Sequence, residues 1–316
     1  MDRVEGTVIA RHGALIRVHT NGRTLLVTSR RRLRWRGGRP TAPNLVVGDR
    51  VIVETHGDEG VIVEVQPRHS RLLRRSPGTR KPQVIAANID QALLVFAATK
   101  PPPKRGLLDR FLVACHVAGI QPVITMNKVD QGTEAIAPWR SVYEGLGYRV
   151  LFVSARTGWG LGTVKRCLSE STTLFCGPSG AGKSSILNAV YPGFKLRVGS
   201  LSGSTGKGRH TTTRAELMPL PSGGFVVDTP GLKEFGLWRV DASTLQESFP
   251  EIAQHQGCCR FADCSHSHEP GCAVIDALEN QEIDRQRYES YVTLLQETRL
   301  PDGGRRESRP GNPAAP

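Results

Sequence analysis

The order of four short motifs constrains this chain more than any other feature. Asn127-Lys128-Val129-Asp130 comes first, at the end of the apolar run 122–126. Ser154-Ala155 follows a second apolar run. Only then comes Gly177-Pro178-Ser179-Gly180-Ala181-Gly182-Lys183-Ser184, the Gly-x-x-x-x-Gly-Lys-Ser pattern of a phosphate-cradling loop. Asp228-Thr229-Pro230-Gly231 closes the series. In the usual arrangement the phosphate loop leads and the base-reading segments trail. Here the last third of such a domain stands at its front. A circular permutation of this kind is tolerated where the original termini lie close together at the surface. It also makes the segment after Gly231 run directly out of the switch region into whatever follows.

The residues in these motifs suit a guanine nucleotide. Backbone N–H groups of the loop wrap phosphates, and a helix beginning near Lys183 points its positive end at them. Lys183 is expected on the β- and γ-phosphates, Ser184 on Mg²⁺, and Ser185 and the Gly231 N–H at the phosphates as well. Asp228 ends an apolar run and is expected to hold Mg²⁺ through water. Asp130 can accept from two donors at once, and guanine N1–H with its N2 amino group is such a pair. Adenine offers an acceptor at N1 and would be repelled, a mismatch expected to cost several kcal/mol when buried. Asn127 belongs to the same segment, the stem of Lys128 can cover the ring, and Ser154-Ala155 brings the Ala155 N–H to the guanine carbonyl.

Water handling is less direct. Many small GTPases carry Gln after Asp-x-x-Gly, and here that position is Leu232, which cannot orient water. Gly208-Arg209-His210-Thr211-Thr212-Thr213 lies in a Gly- and Ser-rich segment, 191–213, expected to be mobile. Thr212 and Thr213 are candidates for the second Mg²⁺ ligand. His210 is the candidate catalytic residue, set against the ordinary fate of a lone surface histidine.

Charge and cysteine content bound the rest. The chain has 316 residues and a formal charge of +13. The first eighty residues hold sixteen Arg, no Lys and seven acidic residues, a net +9. The densest run contains Arg30, Arg31, Arg32, Arg34, Trp35 and Arg36. Guanidinium forks match phosphate oxygens and Trp35 offers a stacking face, so RNA binding is expected there rather than a merely solvated loop. The polar N-terminus does not read as a secretory signal, and no run is long enough to span a bilayer. A cytoplasmic protein with reduced thiols is expected. Cys259, Cys264, His266 and Cys272 then make a closed three-Cys, one-His set for one structural Zn²⁺. Cys258 and His268 are rival ligands. Cys115, Cys167 and Cys176 lie in apolar runs and read as core.

Patterning divides the chain into five parts. Residues 1–66 show about five short alternating strands, the pattern of a small oligonucleotide-binding (OB-fold) β-barrel with the arginine run as a loop between strands. Residues 67–83 read as a basic linker. Over 84–235, strand-like runs (92–97, 122–126, 149–153, 172–176, 224–227) alternate with helical ones (107–118, 139–146, 161–168, 183–190). That pattern indicates an α/β domain with a mostly parallel sheet. Residues 236–300 read as a helical zinc-binding domain and 301–316 as a disordered tail.

The permuted motif order, Gly-Arg-His-Thr-Thr-Thr, the run Asp-Thr-Pro-Gly-Leu-Lys-Glu-Phe-Gly-Leu and the Cys/His spacing together resemble the circularly permuted, ribosome-small-subunit-dependent GTPases, the RsgA or YjeQ family. The resemblance runs from about Val4 to Glu297. It implies a barrel, a permuted GTPase domain and a zinc domain. It also implies binding to the small (30S) ribosomal subunit and its rRNA late in assembly, with hydrolysis faster on the ribosome. The permutation, which joins the switch region to the zinc module, leads us to expect GTP hydrolysis to drive release. With no oligomer interface legible, a monomer without a membrane partner is expected. It assigns His210 to catalysis and Thr212 or Thr213 to the switch. The very arginine-rich barrel and the short tail depart from the family pattern. Two rivals remain: a permuted GTPase acting on the large subunit or on tRNA, and an RNA-binding scaffold that only senses GTP.

Overall fold

The computed structural model describes residues 2–36, 44–56, 59–74, 83–193, 215–228 and 240–299. His210, Thr212, Thr213, Gly231 and Leu232 lie outside the described residues, as do the side chains of Arg31, Arg32 and Asp228 and the tail 301–316. The chain divides into two compact units, one ending at Trp238 and one beginning at Arg239.

The first unit opens with a closed five-stranded barrel. Its strands are β1 (Asp2–His12), β2 (Leu15–Thr20), β3 (Arg23–Trp35), β4 (Arg50–His56) and β5 (Glu59–Val65), in the order β1-β2-β3-β5-β4. Alternation along each strand sends Val8, Ile16, Val18, Val27, Val51, Val53, Ile62 and Val65 inward to one core. Each such side chain stabilises the barrel by roughly 1.5–3 kcal/mol.

Two expectations need correcting here. The arginine run is not a loop: Arg30–Trp35 is written into the second half of β3, where Arg34 pairs with Glu64 and Trp35 with Val65 of β5. Nor is 67–83 a plain linker. Within it β6 (Arg71–Arg74) pairs antiparallel with β7 (Gln83–Ala87). The signal was masked because arginines punctuate the short apolar pair Leu72-Leu73. This junction is anchored by Arg68, buried with Asp49, whose Nε–Oδ1 distance is 2.6 Å. Asn88 Nδ2 also donates to the Gly48 carbonyl at 2.9 Å.

The α/β part is a six-stranded sheet. Its strands are β8 (Gln91–Ala97), β9 (Gln121–Asn127), β10 (Arg149–Phe152), β11 (Thr172–Cys176), β12 (Glu216–Pro219) and β13 (Phe225–Asp228), in the order β10-β9-β8-β11-β13-β12. All neighbours are parallel except β12 and β13. Every residue of β8 is buried, as expected of a strand covered on both faces. Helices α1 (Arg105–Ala118), α2 (Ala137–Gly145), α3 (Leu161–Leu168) and α4 (Lys183–Val190) fall where the 3.6-residue periodicity placed them. The chain moves outward from β8 through β9 to β10, then returns to β11 on the other side. That reversal creates a crevice beyond the carboxyl ends of β8 and β11.

The second unit is helical: α5 (Ala242–Glu247), α6 (Pro250–Ala253), α7 (Ala273–Glu279) and α8 (Arg285–Arg299). Asp241 caps α5 by accepting from the Thr244 N–H at 2.7 Å, a contact worth about 1 kcal/mol. Leu245, Phe249, Ile252, Val274, Tyr291, Leu294 and Leu295 are buried. Among them lies a buried ion pair, Arg287 Nε to Glu251 Oε1 at 2.7 Å and Nη2 to Oε2 at 3.1 Å, with the guanidinium over the Phe249 ring. No helix among the described residues is long and apolar enough to cross a membrane.

Candidate nucleotide site and candidate metal centre

Three motifs, and the strand end that carries the first residue of the fourth, meet at one edge of the sheet. Strand β9 ends at Asn127, β10 precedes Ser154, β11 leads into Gly177, and β13 ends at Asp228. These four strands are parallel, so their carboxyl ends share the crevice.

The loop after β11 is shaped by its glycines. Gly177 has φ +132° and Gly182 φ +96°, conformations that side chains rarely adopt. A Cβ on Gly177 would lie 2.0 Å from the Val95 carbonyl oxygen, and one on Gly182 would lie 2.2 Å from Asn127 Nδ2. The loop thus packs against β8 at one end and against Asn127 at the end of β9 at the other. Lys183 is the first residue of α4, and its ammonium donates to the carbonyls of Gly177 and Pro178 at 2.8 and 3.0 Å. Burial lowers its pKa, opposed by neighbouring Cys176. Cys176 itself is buried under the loop, and burial pushes its thiol up to about 12. It is a core thiol, as expected, and so are Cys115 and Cys167.

The segments expected to read the base form a linked set. Asn127 is buried, donates through Nδ2 to the Ala181 carbonyl at 2.9 Å, and accepts through Oδ1 from the Ala155 N–H at 3.1 Å. The Ala155 N–H expected at a purine carbonyl therefore faces Asn127. Lys128 has φ +65°, and its ammonium donates to the carbonyls of Lys100 and Gly180 at 2.6 and 2.7 Å. Its stem consequently bridges toward the phosphate loop. Asp130 accepts from Ser154 Oγ at 2.5 Å and from Arg156 Nε at 2.8 Å. The Ser154 hydroxyl, and then Arg156, hold its carboxyl below its ordinary value of 3.8, so it is ionised and an acceptor at neutral pH. Sequence reasoning missed Arg156 because one arginine in a loop carries no periodicity; only its place directly after Ser154-Ala155 hinted at it.

On the barrel, Arg30 pairs with Glu54 at 2.7 Å and Arg36 with Glu64 at 3.0 Å. Arg34 stands 3.9 Å from Glu64. All three remain well exposed. Trp35 packs against the barrel core, and Arg68 covers its ring with the guanidinium carbon 5.2 Å from the centroid.

In the second unit, Cys259, Cys264, His266 and Cys272 bring one ligand atom each to within 4.8 Å of one another. His266 Nδ1 lies 3.4 Å from both Cys259 Sγ and Cys272 Sγ, and those two sulfurs are 3.9 Å apart. The set could hold a metal ion. The rivals stay outside: Cys258 is exposed, and His268 Nδ1 meets Ser267 Oγ at 2.8 Å. Helix α8 fastens the ligand loop, with Tyr288 and Tyr291 hydroxyls donating to the carbonyls of His266 and Ser265 at 3.0 and 2.8 Å. Glu269 accepts from the Ser265 N–H and from the N–H groups of Ser267 and His268. Burial works against its charge, but the Ser265 hydroxyl, donating at 2.5 Å, and then the backbone N–H groups of Ser265 and His268 hold its pKa well below the carboxylate range.

A family model, the RsgA GTPase, matches residues 65–238. A small ribosomal subunit biogenesis GTPase RsgA of Saccharophagus degradans is 41% identical over 301 residues, covering 92% of this chain and 86% of that protein. Its counterpart in Gemmatimonas aurantiaca is 42% identical over 298 residues, covering 92% and 96%. Among solved structures, YjeQ from Thermotoga maritima aligns with a TM-score of 0.77 at 33% identity over 94% of this chain and 99% of that one. YloQ, described as a circularly permuted GTPase, aligns with a TM-score of 0.74 at 31% identity over 94% and 95%.

Proposed function

This chain belongs to the RsgA GTPase family, and from that membership we propose that it is a cytoplasmic GTP hydrolase acting in late maturation of the small ribosomal subunit. The observation that supports the nucleotide assignment most is the convergence of Asn127, Asp130, Ser154 and the loop 177–184 on one crevice, joined through the Asn127 amide. The reaction is GTP plus water giving GDP and phosphate. Loop N–H groups and Lys183 hold the phosphates and offset charge that builds on the leaving oxygen. Asp130 accepts from guanine N1–H and N2–H, with Ser154 and Arg156 keeping it ionised. Ser184, Thr212 or Thr213, and Asp228 would hold Mg²⁺, which when bound neutralises charge between the β- and γ-phosphates. His210 would orient the attacking water, since Leu232 cannot. The Gly231 N–H would meet the γ-phosphate.

The metal of the second unit is read as zinc, one per chain. Two thiol sulfurs 3.9 Å apart suit one edge of a tetrahedron with metal–sulfur bonds of ~2.3 Å. Four protein ligands leave no open position, so its role is structural. The barrel arginines Arg30, Arg31, Arg32, Arg34 and Arg36 are read as phosphate-binding groups for rRNA, with Trp35 beside them as a buttress. We take the protein to act as a monomer.

Hydrolysis assays alone and with purified small or large subunits test this reading. Stimulation by small subunits is expected. Equal stimulation by large subunits would transfer the protein to the other subunit. Leu232 favours one further reading, a scaffold that binds GTP without turnover. That reading predicts no phosphate release even with small subunits.

A further inference from the structure

The barrel meets the nucleotide domain through the first residue of β12. Glu216 Oε2 accepts from Arg17 Nη2 of β2 at 3.1 Å, and Glu216 Oε1 lies 3.4 Å from His12 Nε2 at the end of β1. Beside them the His19 ring of β2 meets Phe225 of β13 edge-on at 5.4 Å. The β12–β13 register sets Glu216 directly opposite Asp228. One residue is therefore tied by its carboxylate to two barrel strands, and by its backbone ladder to the aspartate assigned to Mg²⁺. It also stands three residues after Thr213 in the sequence. Any shift of the hairpin must move Glu216.

Two contacts hold the barrel with different stiffness. Arg68–Asp49 is an ion pair with side chains 2% and 0% exposed. Breaking it would strand a buried charge, so it acts as a fixed anchor. At Glu216 the carboxylate is 37% exposed, Arg17 41% and His12 49%. Such pairs break and re-form at small cost because water competes for both partners. Arg17 Nε and His19 Nδ1 in this junction are buried with no hydrogen-bond partner among the described residues.

We propose that Glu216 couples the nucleotide site to the barrel: the Asp49–Arg68 pair is the pivot, and the Glu216 grip on Arg17 and His12 is the adjustable contact that transmits movement of the β12–β13 hairpin. Glu216 is a positioning residue and touches no nucleotide. The proposal rests on the nucleotide assignment above, and it supplies a route from that site to the RNA-binding barrel.

The test is amide hydrogen exchange on the full chain, with GDP and with a slowly hydrolysed GTP analogue, read on peptides covering 11–20. In the unmodified protein, exchange should differ between the two nucleotides by about fivefold or more, the lower end of ordinary coupling. In Glu216→Ala the difference should shrink below about twofold while GDP affinity stays unchanged, because the carboxylate link carries the coupling. The exchanged pair Arg17→Glu with Glu216→Arg rebuilds the contact to β2 but not the one to His12, and should restore the difference in part. Nucleotide-independent exchange in the unmodified protein would overturn the proposal. So would a full difference in Glu216→Ala, or failure of the exchanged pair to restore any of it when GDP affinity shows the protein folded. Small-subunit affinity of the same proteins separates the two readings. If that affinity ignores the nucleotide while barrel exchange follows it, the ribosomal cycle fails and the coupling stands.

Discussion

The side-chain amide of Asn127 donates to the carbonyl of Ala181, 2.9 Å away, across fifty-four residues of sequence. This bond joins the segment proposed to read the base to the loop proposed to hold the phosphates, the two parts whose order the permutation reverses. The other end of the same amide holds Ala155. Moving the chain ends therefore leaves the site intact, because its geometry depends on strand ends meeting and not on which strand is made first. It also explains why Gly182, beside Asn127, tolerates no side chain.

Gly182→Ala should disable the phosphate site while leaving the fold in place. Its Cβ would meet Asn127 Nδ2 at 2.2 Å, and its φ of +96° is strained for alanine. Relieving the clash must move either the loop or Asn127. GDP affinity should fall by about 100-fold, ~2.7 kcal/mol, in a fluorescent-nucleotide titration. An unchanged circular dichroism spectrum would confirm that the loss is local.

Asp130→Asn should exchange base preference. The amide offers a donor where guanine also offers donors, so GTP affinity should fall by about 100-fold or more. Xanthine carries a carbonyl at that position, and its nucleotide should gain in the variant. Competition between the two nucleotides measures this. In the unmodified protein the Ser154 hydroxyl and Arg156 depress the Asp130 pKa below 3.8. A depressed pKa means the charged form persists as pH falls. GTP affinity should therefore start to decline at a lower pH than an aspartate of ordinary pKa would give.

The fold was legible wherever periodicity was strong. Strand β11 and helices α3 and α4 match the sequence-derived bounds to the residue, because apolar runs there are flanked by clear breaks. Strand β6 and the far half of β3 were not legible, since arginine side chains interrupt the alternation while the backbone continues its ladder. In the site, motif residues could be named from spacing alone. Arg156 and Glu216 could not, because each acts through a partner 26 or 199 residues away in sequence. Only the assembled sheet brings such partners together.

Arg287→Ala should make the second unit unfold far more readily than the unmodified protein does. The substitution leaves Glu251 buried without its counter-charge, at a cost of about 3–5 kcal/mol. The double variant Arg287→Met with Glu251→Leu should recover much of that loss, because it removes both charges. Chemical denaturation of the two proteins measures the difference.

Removal of the metal should melt the second unit and spare nucleotide binding. Metal analysis should find one zinc per chain. A strong chelator, or Cys264→Ser, should expose the segment from Cys259 to Cys272 to proteolysis, because three thiols and an imidazole no longer share an ion. Tyr291→Phe removes one hydroxyl bond to Ser265 and should cost only about 1 kcal/mol. That contrast separates loss of the ion from loss of the helix contact.

The most direct measurement is GTP turnover by the unmodified protein and by His210→Ala, each alone, with small subunits and with large subunits, and with ATP as control. Turnover stimulated by small subunits only, absent with ATP and lost in His210→Ala, is the expected result. Nucleotide binding with no stimulated turnover in the unmodified protein would contradict it, and would make the chain a GTP-sensing scaffold.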